Sequence, residues 1–168
     1  MARLTTESTI YITYIATTPE KCWEAITTAA FTKLYFFGRT VESDWKAGGD
    51  IIYRTPDGKV DVQGRILECD PPHFVRFTWR VDWIAELRHL PDSIVSYRIE
   101  RAGDGVVRFA MTEEHPEPID ARLLEGGRSG WPLILSGLKS VLETGKMFKA
   151  DPPSPPKAMQ DYIKELQK

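Results

Sequence analysis

The stretch RSGWPLILSGLKSVLETGKMF, from Arg128 to Phe148, constrains the fold more than any other part of the chain. Trp131, Leu135, Leu138 and Leu142 recur at spacings of four, three and four, flanked by Ile134 and Val141, so a helix carries one broad apolar stripe opposite Lys139, Glu143 and Lys146. A stripe of that width needs a large apolar surface beneath it. Ser129 is expected to cap this helix and Pro132 to fall in its first turn, where the missing N–H costs little, with Gly126 and Gly127 as the break before it.

The preceding residues supply strands for that surface. STIYITYIA, residues 8–16, reads as a first strand with Ile10, Ile12, Tyr14 and Ala16 on one face. Thr18, Pro19 and Glu20 start a short helix through Cys22, Trp23 and Ile26, and Ala30 to Phe37 gives a second. VESDW and IIYRT, joined at AGGD, form a hairpin that ends at the Pro56, Asp57, Gly58 turn. In KVDVQGRILECD, Val60, Val62 and Ile66 alternate against Asp61, Gln63 and Arg65, and Gly64 marks a bulge or a bend. In HFVRFTWRVDW, Val75, Phe77, Trp79, Val81 and Trp83 share one face, which makes the inner surface unusually aromatic. IAELRHLPD carries Ile84, Leu87 and Leu90 and is suited to cover the mouth of a cavity. SIVSYRIER then leads through Gly103, Asp104 and Gly105 into VVRFAMTEEH, where Val107, Phe109, Met111, Glu113 and His115 point one way. That row ends in two polar groups.

Composition narrows the class. A chain of 168 residues buries a substantial core as one domain without disulfide or metal staples. Lys and Arg number 22 against 24 Asp and Glu, scattered without a like-charged run, which argues against a nucleic-acid or anionic-membrane surface. No window approaches the roughly 18 apolar residues of a membrane span, and the N-terminus lacks a signal-peptide run, so a soluble cytoplasmic protein is expected. Cys22 and Cys69 fit neither CxxC nor Cys/His zinc spacing, and neither a metal nor a cofactor is expected. In residues 150–168, ADPPSPP is a stiff linker, and KAMQDYIKELQK is a short amphipathic helix through Met159, Tyr162, Ile163 and Leu166. It is expected to dock on its own domain or on a second copy in a homodimer.

Four strings in this order resemble the SRPBCC superfamily, the helix-grip fold shared by the START lipid-transfer domains and the birch pollen allergen. They are TPEKCWEAIT at Thr18–Thr27, WKAGGDIIY at Trp45–Tyr53, GRILECDPPHFVRFTW at Gly64–Trp79 and GWPLILSGLKSVLETG at Gly130–Gly145. Within the superfamily, Ser8 to about Phe148 is most similar to the heat-shock-protein-90 ATPase activator homologues. The resemblance implies an α+β domain over residues 1–149. In it, a curved antiparallel sheet of about six or seven strands wraps around a long C-terminal helix, with two short helices after strand one and an apolar cavity beneath the long helix.

The side chains expected to face such a cavity are Trp79, Trp83, Phe109 and Met111 from the sheet and Trp131, Leu135 and Leu138 from the helix. The same residue types also fill ordinary cores. Glu113 and His115, at i and i+2 on one strand, are placed to contact a ligand hydroxyl or carbonyl. No GxSxG, GxxxxGK[ST] or HExxH motif occurs, and no catalytic residue is assigned. The leading expectation is non-catalytic binding of an apolar molecule, lipid-like or aromatic and polyketide-like, in the stress-related role that the resemblance implies. Two alternatives stay open. One is an interaction module that stimulates a chaperone ATPase, although the eukaryotic activator is similar only in its C-terminal domain. The other is a cyclase- or hydrolase-like enzyme in which Glu113 and His115 move protons.

Overall fold

Side-chain alternation marks out the strands of this chain, and a computed structural model describing residues 3–168 shows how they assemble. β1 (Leu4–Thr5) and β2 (Thr9–Ile15) precede α1 (Pro19–Thr27) and α2 (Ala29–Tyr35). β3 (Thr40–Ser43), β4 (Asp50–Arg54), β5 (Val60–Asp70), β6 (Phe74–Val81), β7 (Ser93–Gly103) and β8 (Val106–Glu114) follow as a meander. The chain closes with β9 (Ile119–Asp120), α3 (Leu124–Thr144) and α4 (Lys157–Leu166). β2 to β8 form one seven-stranded antiparallel sheet in the order β2-β8-β7-β6-β5-β4-β3, while β1 pairs with β9. The inner face carries Phe77, Val95, Ile99, Phe109 and Met111, all buried beneath Leu135, Leu138 and Val141 of α3. This is the α+β helix-grip architecture.

Local chemistry explains the elements. The Thr18 hydroxyl accepts from the Lys21 N–H at 3.2 Å, with Pro19 opening α1, and Gly145 ends α3 in the left-handed region at φ 75°. β2 is an edge strand, but α3 blunts its end: Lys139 Nζ donates to the Tyr14 carbonyl at 2.6 Å, and Glu143 accepts from the Ala16 N–H at 3.1 Å.

Several expectations change. α3 begins at Leu124, continuing a 3₁₀ turn over Ala121–Leu123 whose N-cap is Asp120, so Ser129 is not its cap and Pro132 lies in its interior. Pro132 leaves the Arg128 carbonyl without its helical donor. Gly126 and Gly127 lie inside the helix, because other groups pack too close for a side chain there: a Cβ would meet Met159 Sδ at 2.8 Å from Gly126 and Glu113 Oε1 at 2.9 Å from Gly127. On β2, Ile10, Ile12 and Tyr14 form the outer, exposed face, and Tyr11 and Ile15 turn inward. In β5 the pairing slips between Tyr53 and Arg54, so Asp61 turns inward beside Val62 and Val60 is exposed; Asp61 is buried because it is ion-paired with Arg39. Gly64 is not at either slip in β5; it lies where the Thr78 carbonyl of β6 would come within 1.7 Å of a Cβ.

Two glycines therefore respond oppositely to alanine. Gly64→Ala forces backbone apart and should cost about 3 kcal/mol or more. A Cβ on Gly130 meets nothing within 4 Å, so Gly130→Ala in α3 should stabilise by about 0.5–1 kcal/mol. Urea unfolding of both variants checks the pair; equal midpoints would contradict this packing.

Candidate functional site

A cavity of about 680 Å³ lies between the sheet and the glycine-rich first turns of α3. Trp79 and Val81 of β6, Val62 of β5, and Trp131 and Ile134 of α3 line it. Phe36, Phe37 and Arg39 enter from the turn after α2. Trp79 and Trp131 lie 5.2 Å apart between ring centres, and Phe36 meets Trp131 edge-on at 5.9 Å, so the wall is one continuous aromatic surface. The 84–92 segment lines the mouth with Ile84, Leu87 and Leu90.

The C-terminal tail completes the enclosure. Pro152 to Pro156 and Met159 line the cavity, so the proline run is a wall as well as a linker. α4 docks on its own chain: Arg122 holds Glu165 through two hydrogen bonds of 2.9 Å, lies 5.0 Å over the Tyr162 ring, and also pairs with Asp120. Gln167 donates to Glu86 at 2.6 Å, tying the tail to the mouth segment.

Of the residues singled out from sequence, Trp79, Trp83, Glu113, His115 and Trp131 line the cavity. Trp83 lies beyond the end of β6, 51% exposed, with the Arg39 guanidinium 5.0 Å from its ring centre. Phe109, Met111, Leu135 and Leu138 lie in the closed core beside it, where the sheet meets α3 directly. Phe36, Phe37, Ile134, the prolines and Met159 were not singled out. Ile134 was visible as a flank of the helical stripe and Met159 as part of the tail's stripe, but no periodicity brings the tail to the sheet.

Glu113 and His115 are the polar end of the cavity. Glu113 Oε1 and His115 Nε2 are 3.7 Å apart, with both side chains largely buried. Burial pushes the Glu113 carboxyl up to about 7, with the neighbouring Trp131 indole acting in the opposite direction. Burial also lowers the His115 imidazole, which keeps it neutral near pH 7. Tyr97 and Tyr11, both raised chiefly by burial, add no positive charge that would restore the carboxylate.

A seven-stranded antiparallel sheet closed on a C-terminal helix defines the helix-grip class of the SRPBCC superfamily. The chain belongs to the family described as Activator of Hsp90 ATPase homolog 1-like protein, which it matches over residues 16–143. An HSP90 activator from Plasmodium falciparum shares the fold with 19% identity and a TM-score of 0.66, over 80% of this chain and 95% of that one. The Aha1 dimer from Colwellia psychrerythraea matches with 18% identity and a TM-score of 0.65, over 83% and 98%. DynU16, from the dynemicin biosynthetic locus, matches with 17% identity and a TM-score of 0.71, over 88% of this chain and 51% of that one. No curated protein sequence matches this chain. Among the described residues, no helix is long and apolar enough to cross a membrane.

The raised carboxyl makes stability depend on pH. Folded Glu113 holds its proton up to about pH 7, whereas unfolded it releases it near 4.5, so this group's contribution to stability is fully present below 4.5 and is lost as pH rises through about 7. The loss is on the order of 3 kcal/mol. Glu113→Gln should remove this fall and make the protein more stable than wild type at pH 8 relative to pH 5. Urea unfolding at the two pH values measures the difference; an unchanged slope would place the titration elsewhere.

Proposed function

We propose that this chain binds an apolar small molecule, lipid-like or aromatic, between the sheet and α3, without turning it over. The observation that carries this reading is the cavity of about 680 Å³, walled mainly by aromatic and aliphatic side chains. A half-open cleft of this size lined largely by apolar groups offers a ligand contacts that solvent water does not. The tail belongs with the binding domain in this reading, since the proline run and Met159 complete the wall. Binding is favoured over nucleophilic chemistry because the buried Cys22 thiol is pushed up to about 12 and neither cysteine lines the cavity.

Gly130 gives a test that spares the fold. It lines the cavity and has open space where a side chain would project, so Gly130→Leu should fill the site without loss of stability. Titration with the neutral fluorophore N-phenyl-1-naphthylamine should show saturable binding to wild type and at least a tenfold loss in Gly130→Leu. Mass spectrometry of organic extracts of the purified protein should release an apolar compound from wild type alone. Absence of both signals in wild type would sink the proposal.

Family membership supports a second reading, stimulation of a chaperone ATPase, for which the exposed Ile10, Ile12 and Tyr14 row of β2 supplies an apolar contact surface. Its expected outcome is a raised Hsp90 ATPase rate on adding this protein, lost in Ile10→Asp/Ile12→Asp. An unchanged rate and no co-sedimentation would remove it.

A further inference from the structure

His115 Nε2 is fully buried and has no hydrogen-bond partner, and it is the one buried side-chain nitrogen or oxygen among the described residues in that position. Native structures rarely leave such an atom unpaired. Its nearest acidic neighbour, Glu113 Oε1, is 3.7 Å away, too far for a direct bond, and both residues line the cavity. Two atoms at that separation can share a single oxygen lodged between them at hydrogen-bonding distance from each.

Donor and acceptor counts decide which ligand group fits. A carboxyl donates when protonated and only accepts when ionised, and neutral imidazole presents Nε2 as either donor or acceptor. A hydroxyl matches three of the four pairings, since it can accept from two donors or donate to one partner while accepting from the other, and fails only where both accept. A carbonyl or ether oxygen only accepts. A carboxylate only accepts and sets like charge beside Glu113. Among the described residues that line the cavity, both guanidiniums are already paired, Arg39 with Asp61 and Arg80 with Asp92, so neither is free to offset that charge. We propose that Glu113 and His115 form a hydroxyl-recognition site, and that the ligand is a neutral, largely aromatic molecule whose phenol or alcohol lodges between them. Its body lies against Trp79, Trp131 and Ile134. This rests on the cavity reading above and specifies the ligand's one polar group.

Three probes of similar skeleton separate the possibilities: 2-naphthol, 2-methylnaphthalene and 2-naphthoate, titrated at pH 6.5 with tryptophan fluorescence as the readout. Wild type should bind 2-naphthol about tenfold or more tightly than 2-methylnaphthalene, with 2-naphthoate weakest. In Glu113→Met and in His115→Phe the preference should fall towards one, with 2-methylnaphthalene bound as well as before. Should either variant fail to fold, the wild-type ratio still decides. Equal wild-type affinity for 2-naphthol and 2-methylnaphthalene overturns the hydroxyl site and leaves the cavity reading standing. A preference that survives both substitutions also overturns it. Failure of wild type to bind either neutral probe overturns both.

Discussion

The structure depends on how far α3 stands from the sheet along its length. Towards its C-terminal half, Leu135, Leu138 and Val141 fill the gap to the strands, and the packing there is closed. Towards its N-terminal half, Gly126, Gly127 and Gly130 present almost no side chain, and the cavity lies beside them. Trp131 stands at the boundary. Its ring meets Trp79 and Phe36, closing the core on one side and walling the cavity on the other.

That boundary also accounts for the polar pair. Glu113 lies at the end of the inward row of β8, where the glycine backbone of α3 leaves room for a carboxylate against the helix. Removed from water, the carboxyl holds its proton to about pH 7, and the neighbouring imidazole stays neutral for the same reason. Opposite signs of shift from one cause leave two neutral-leaning groups side by side in an apolar space. Such a pair favours an uncharged polar partner. The tail encloses this end as well, since Met159 packs on Gly126 and Arg122 anchors α4 through Glu165.

Much of the fold was legible because burial imprints a period on sequence. β6, β7 and β8 face one core along their length, so their alternation is clean, and the stripe of α3 is read directly from Trp131, Leu135, Leu138 and Val141. Misreadings fell where a distant contact overrides the local signal. Gly126 and Gly127 read as a helix break because the groups that require them, Met159 and Glu113, are remote in sequence. Asp61 read as an outward charge because its partner is Arg39, and β2 offered apolar residues on both faces, so alternation could not say which was buried. Trp79, Trp131, Glu113 and His115 were identifiable as candidates, yet nothing local separated them from Phe109 or Leu138, which lie in closed core.

By itself, then, the sequence determined the strands, the striped long helix and a row ending in Glu113 and His115, because each is a matter of period along one segment, while the fold class came from the resemblance carried by four strings in order. Only the tertiary structure decided where the core stops and the cavity begins, and that the proline run closes it. Those outcomes depend on distances between β6, β8, α3 and the tail, set by the sizes of facing side chains. No single segment carries that information.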